Sequence, residues 1–179
     1  MAQAAPKRTA AKPAAIDPKT TALLVLDFVQ HACNAERRPR CVASVPKVRG
    51  LLDEARNKGV LVVHGVVSGQ SASHIVPDLA PRDGEPLVTS GPDKFIGTDL
   101  ERILADKGIR KVVVVGTAAH GAVLLTATGA ALRGLDVVVP VDGMSSGQPY
   151  PEQYTAWHLA NAPRVGDRVT LTSIGQVRY

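Results

Sequence analysis

Aromatic side chains make up only 3% of the 179 residues, so a folded core has to be built from aliphatic packing. Cysteine occurs twice, at positions 33 and 41. Two cysteines eight apart do not amount to a disulfide framework for a chain this long, and the default expectation is free thiols in a reducing cytoplasm. The opening MAQAAPKRTAAKPAA has no apolar run long enough for a signal-peptide core or a membrane span, and no membrane association is expected. No G-x-G-x-x-G follows the first apolar strand, which ends in LDFVQ, and no phosphate-binding GKS or GKT occurs, so no nucleotide cofactor is indicated. The five histidines lack His-x-x-x-His spacing or an Asp-x-His pair, and no metal is expected. Acidic residues are missing from the first 16 positions, which hold Lys7, Arg8 and Lys12. Without that segment the net charge of +5 shrinks to 18 basic against 16 acidic residues, too balanced for a nucleic-acid-tracking surface.

What remains is the composition of one globular domain, 45% hydrophobic and 21% charged. The Ala/Pro/Lys-rich residues 1–16 read as a disordered tail and residues 17–179 as the domain. One unit recurs three times: a stretch ending in a basic residue and glycine, then a branched aliphatic run, in NKGVLVVHG, DKGIRKVVVVG and LRGLDVVVPVDG. Gly59, Gly108 and Gly134 suit the left-handed position that closes a helix, and the runs after them suit strands buried on both faces. With TALLVLDF (21–28) as a first strand, the pattern predicts a three-layer α/β/α sandwich around a mostly parallel, six-stranded sheet.

Helices are expected from Ser44, as N-cap with Pro46 in the first turn, over 98–107 with a Thr98/Glu101 capping box, over 120–133, and over 151–160. The helix at 120–133 should be the most buried. A last strand is expected at 168–174, and a surface loop at 68–86. In such sheets ligands bind at the carboxyl ends of the strands where strand order reverses. Asp27, His64 and the segment 116–122 fall at such ends.

LLVLDF, FIGTDLE (95–101), VVVVGTAAHGAVLLTATGAAL (112–132) and VDGMSS (141–146) stand in the order and spacing of isochorismatase-like hydrolases, and the resemblance runs from about 21 to 174. It implies a dimer or higher homo-oligomer, a small-molecule substrate, and a pocket with Asp27 as acid or base. It further implies a cis bond at Thr117–Ala118 and an oxyanion pocket at the N–H groups of Ala118 and Ala122. Most of the family carries its nucleophilic cysteine where this chain has Ala122, and an alanine methyl cannot attack a carbonyl. The family lysine stands about six residues before the phenylalanine, here Thr89 or Ser90; Lys94 is either its substitute or a solvated surface residue. True isochorismatases also lack the cysteine and carry an Ala-His pair resembling Ala119–His120; a vinyl ether needs only acid and water.

The candidate site is therefore Asp27, Lys94 and Ala122 for the chemistry, with Phe28, His64, Thr117, Ala118, Ala119 and His120 around the substrate. Arg37, Arg38 and Arg40 either recruit a carboxylate or are solvated. Tyr150, Tyr154 and Trp157 either pack the last helix or form a subunit contact, packing being the larger share. Two functions fit: a cysteine-independent hydrolase of a small carbonyl or enol-ether compound, and a non-catalytic binding or assembly module. Loss of turnover in Asp27→Asn separates them.

Overall fold

A computed structural model describes residues 10–179. Its sheet has the order β4-β3-β2-β5-β6-β8, from β2 (Thr21–Leu26), β3 (Leu61–Val67), β4 (Leu87–Ser90), β5 (Lys111–Thr117), β6 (Asp136–Pro140) and β8 (Val169–Thr172). A seventh strand, β7 (Met144–Ser145), pairs with the end of β5, and every pairing in this sheet is parallel. The expected six-strand parallel sheet is thus present with one short addition. Its edge strand β4 directly follows the segment expected to be loop, where it was not foreseen: LVTS is only four residues long and alternates in burial instead of forming an apolar run.

The helices are α1 (Pro39–Asn57), α2 (Leu100–Asp106), α3 (Leu124–Leu132) and α4 (Pro149–Asn161). Strand side chains alternate between the two faces. Leu23, Val25, Val113 and Val115 pack with Val45, Val48 and Leu52 of α1. Ala22, Leu24, Leu26, Val112 and Val114 pack with Leu100, Leu104, Leu124, Ala127 and Leu159 of the other three helices. Each such side chain contributes about 1.5–3 kcal/mol by leaving water, so two aliphatic layers replace the missing aromatics. Gly59, Gly108 and Gly134 all have positive φ, of 75°, 65° and 85°, and close the three helices as expected.

Four expectations change. The first helix starts five residues before Ser44: Pro39 takes its first turn, while the Ser44 hydroxyl donates back to the Cys41 carbonyl at 2.7 Å, a mid-helix bond. Pro46 is tolerated inside the helix on its exposed side. Thr98 accepts from the Leu100 N–H, and Glu101 turns away to Arg133, so no capping box forms. Part of the N-terminal segment is ordered: β1 (Ala14–Ala15) pairs with β9 (Val177–Arg178), and Ile16 is buried because it completes the α1-side core. The rest of the expected tail, 1–9, lies outside the described residues.

The cysteines are the fourth. Cys33 and Cys41 are joined, with Cα atoms 5.3 Å apart. The chain folds back between the end of β2 and the first turn of α1, which brings together two residues whose spacing had suggested independence. The argument for a reducing compartment loses its premise. Among the described residues no helix is long and apolar enough to cross a membrane.

Candidate active site

Strand β2 lies where strand order reverses, with β3 on one side and β5 on the other. Asp27 is the first residue beyond it and adopts φ 57°, the left-handed region that Asp tolerates better than most residues. Its N–H donates to the Gly65 carbonyl (2.8 Å), and its carbonyl accepts from the Val29 N–H (2.7 Å). The backbone turns there under constraint, which leaves the carboxylate at the mouth of a cavity of about 420 Å³. The other walls include Thr117 at the end of β5 with Ala118 and Ala122 after it, Ser90 at the end of β4 with Pro92 after it, and Arg38 from the loop before α1.

Lys94 comes from beneath. Its side chain is fully buried, with Nζ 2.8 Å from Asp27 Oδ1 and donating to the carbonyls of Val66 (3.2 Å) and Gly91 (2.9 Å). The contact with Asp27 is a short, buried ion pair. Gly65 leaves room for the lysine stem: a Cβ there would stand 2.9 Å from Leu26 Cδ2 and 3.3 Å from Lys94 Cδ and Cε. Burial raises the Asp27 pKa, against the opposing pull of Lys94 and, more weakly, of Arg38. Burial thus favours the neutral form of this carboxyl more than exposure to water would.

The segment after β5 has the cis bond expected at Thr117–Ala118. It then makes one π-type turn, Ala119–Val123, before α3 begins, so the expected single helix over 120–133 is two pieces. Thr117 Oγ1 donates to the Ser145 carbonyl (3.1 Å) and accepts from Arg38 Nη1 (3.2 Å).

Of the residues expected around a substrate, Thr117 and Ala118 line the cavity and four do not. Phe28 is buried in the α1-side core, and Ala119 in the opposite one. His64 points the other way, fully buried, with Nε2 2.9 Å from Glu85 Oε2; Glu85 also takes a bidentate contact from Arg56. Burial lowers the His64 pKa against the pull of Glu85. Burial would raise that of Glu85, but Arg56, the Arg82 N–H and His64 together lower it to about 2. His64 failed as a pocket residue because its acidic partner lies on a loop 21 residues away. His120 is exposed and meets Ser146 Oγ at 3.1 Å through Nδ1.

Arg38 is the main residue whose placement was left open: Arg37 and Arg40 are exposed, whereas Arg38 is half-buried on the cavity wall. The aromatic residues of α4 also differ from expectation. Tyr150, Tyr154 and Trp157 are 72%, 41% and 45% exposed, because their i, i+4, i+7 spacing puts them opposite Thr155 and Leu159, which anchor the helix. Among the described residues no cluster of three or more His, Cys, Asp or Glu is placed to hold a metal ion.

Comparison with known proteins identifies the family and the fold. Residues 21–172 match the isochorismatase domain. A secreted isochorismatase effector, Isc1, of Verticillium dahliae is 35% identical over 113 residues, covering 57% of this chain and 60% of its own length. A streptothricin hydrolase of Streptomyces noursei is 31% identical, covering 90% and 64%. A maleamate amidohydrolase of Pseudomonas putida is 25% identical, covering 83% and 82%. The chain thus spans about three-fifths of the first two curated relatives. Among solved structures, an isochorismatase-like hydrolase from Alkaliphilus metalliredigens superposes with a TM-score of 0.78 at 24% identity, over 88% of this chain and 96% of that one. With the domain matched over most of its length, and its fold shared with such structures, this chain belongs to the isochorismatase family.

Proposed function

We propose that the chain is a hydrolase of a small carbonyl or enol-ether compound in which Asp27 moves the proton and water, in place of a cysteine, is the attacking group. The observation that carries this is the Asp27–Lys94 pair at 2.8 Å on a cavity whose wall at residue 122 is a methyl group. Both cysteines are bonded to each other, so neither offers a thiolate from elsewhere. With an enol ether, protonated Asp27 gives its proton to the terminal alkene carbon. Water adds to the resulting oxocarbenium carbon and returns a proton to Asp27, and the hemiketal collapses with loss of the alcohol. With an amide, ionised Asp27 takes a proton from the attacking water, while the N–H groups of Ala118 and Ala122 receive the carbonyl oxygen as charge builds on it; protonated Asp27 then passes that proton to the nitrogen, the C–N bond breaks, and amine and carboxylic acid are released. The name of one relative, a maleamate amidohydrolase, puts amides first among substrates to try.

The test is turnover by purified protein over amide, carbamoyl and vinyl-ether panels, repeated with Asp27→Asn. Activity lost in a folded variant supports the assignment; full activity retained ends it. The Ala122 methyl favours a second reading, a binding or assembly module that keeps the pocket without the chemistry. It predicts saturable small-molecule binding and no turnover across the same panels.

The same reading includes a homo-oligomer, dimer or tetramer. The outward stripe of Tyr150, Tyr154 and Trp157, with Ile96, Leu125 and Leu132 exposed around α3, supports it. Sedimentation of the native chain and of Trp157→Glu tests it. A cytoplasmic setting is tested by alkylating Cys33 and Cys41 in protein taken directly from its cells: free thiols support it, and an intact bond indicates an oxidising compartment.

A further inference from the structure

The loop from 33 to 41 carries three arginines with three different fates. Arg40 forms an ion pair with Glu152 at the start of α4, at 2.5 Å, and Arg37 donates to the His31 carbonyl at 3.3 Å on the exposed surface. Arg38 alone is drawn onto the cavity wall. There its only side-chain hydrogen bond among the described residues goes from Nη1 to Thr117 Oγ1, which occupies one of the five N–H donors of a guanidinium. No ion pair within 4.0 Å among the described residues includes it.

Charge bookkeeping around the cavity shows what is missing. Asp27 is the one acidic residue on its lining, and it is taken by Lys94 at 2.8 Å. Arg38 therefore faces the cavity as a cation short of a counter-ion, with Arg37 beside it in the chain. Burial and Arg37 both disfavour its charged form, and Asp27, the weakest of the three influences, favours it. A guanidinium does not lose its proton in proteins, so an anion brought in from solution would complete its pairing. The planar fork of N–H groups suits a carboxylate better than any neutral group.

We propose that Arg38 is the specificity-determining residue of this cavity and selects a substrate that carries a carboxylate group next to its reacting bond. Thr117 fixes the geometry. It holds one arm of Arg38 and is bonded directly to Ala118, so an anion seated on the guanidinium places the rest of a small molecule beside Ala118, Ala122 and Asp27. The Cys33–Cys41 bond closes the loop around Arg38, so the cation is presented from a tethered segment and less freedom is lost when a ligand binds. A cavity of about 420 Å³ admits a small monocarboxylate, and the apolar Val29, Val67 and Pro92 contact its body.

This inference rests on the cavity being the substrate site, but its test requires no turnover. Benzoate and benzamide have the same ring and differ in the charge of one group. Their binding to the native chain, Arg38→Gln and Arg38→Lys is measured by calorimetry or ligand-observed NMR, with far-UV circular dichroism showing that each variant is folded. Benzoate is expected to bind the native chain in preference to benzamide. Arg38→Gln should weaken benzoate by about tenfold or more and leave benzamide within about twofold, and Arg38→Lys should fall between, because it keeps the charge and loses the fork. Absence of saturable benzoate binding, equal binding of the two probes by the native chain, or an unchanged benzoate affinity in a folded Arg38→Gln would each overturn the proposal. A chain that binds benzoate through Arg38 and turns over nothing leaves this inference standing and sinks the hydrolase reading; a chain that hydrolyses neutral amides with Arg38→Gln fully active does the reverse.

Discussion

Replacing Asp27 by asparagine removes a charge and leaves shape and backbone preference nearly unchanged, since asparagine also accepts the left-handed φ of 57° at this position. The native carboxyl has its pKa raised by burial, more than Lys94 and Arg38 lower it. The folded protein therefore holds a proton on Asp27 at pH values where the unfolded chain has released it. That contribution to stability is complete below the ordinary value of 3.8 and is lost as pH rises through the raised one. The asparagine variant has no such loss, so at pH 7 it should be at least as stable as the native chain, by about 1.4 kcal/mol for each pKa unit that separates the folded and unfolded carboxyl. The gap should close toward pH 4. Urea unfolding followed by circular dichroism at several pH values reads it directly, and the Glu85–His64 contribution cancels because both proteins share it. The backbone is separated by a companion pair: Asp27→Ala should be about 1 kcal/mol less stable than Asp27→Gly, because a Cβ is strained at this φ. An asparagine variant clearly less stable than the native chain at pH 7 and equal to it at acid pH would refute the reasoning, since the attraction of Lys94 would then outweigh burial.

Glu85→Gln should cost about 1–2 kcal/mol at pH 7, less than the full displacement of the native carboxylate from 4.5 to about 2 would give, because solvent partly screens its contacts with Arg56, the Arg82 N–H and His64. Its stabilisation is present above 4.5 and lost as pH falls through 2, so urea midpoints of the two proteins should converge in acid. Cys33→Ser combined with Cys41→Ser reopens a closed loop of eight residues and should lower stability by roughly 2.5 kcal/mol on the chain-entropy account. The same double variant should weaken benzoate binding, because Arg38 is no longer tethered; unchanged stability and affinity would show that the bond does neither. Gly116→Ala would put a Cβ 2.7 Å from the Leu26 carbonyl oxygen. Backbone cannot yield as a side-chain end can, so the central β2/β5 pair should separate, with a loss of about 1–3 kcal/mol and with Asp27 displaced; denaturation and turnover measure the two effects.

The parallel sheet was legible because its evidence is local and repeated. Three of the four helices, α1, α2 and α3, end in a glycine that really is left-handed, and a branched aliphatic strand follows each. The site was legible only where a backbone position decides the matter: residue 27 after the first strand, residues 117–122 after the third aliphatic run. Lys94 stood undecided because its role depends on how far a flexible side chain reaches through the gap at Gly65, which spacing does not record. His64 was misread for the converse reason. The strand end expected at residue 64 lies three residues further on, since β3 runs to Val67, and the His64 side chain is claimed by Glu85 from a loop; such pairing is a property of tertiary structure. The cysteines show the same limit: eight residues of separation could be an unconstrained loop or a closed one, and only the return of the chain into α1 distinguishes them.

Two features of the cavity are unfavourable to the fold taken alone: Asp27 is buried at a left-handed φ, and Arg38 faces the cavity with no ion-pair partner within 4.0 Å among the described residues. Elsewhere Glu85 is paired with Arg56 and His64, and Glu152 with Arg40. Asparagine at 27 or glutamine at 38 would remove either charge in a single step, and the chain carries neither. Both charges line one cavity, with Arg38 bonded to Thr117 on its wall, an arrangement that fits a site whose counter-charge arrives with the ligand. On the proposed reading water is the attacking group at residue 122, and the carboxylate and guanidinium define what is held beside it.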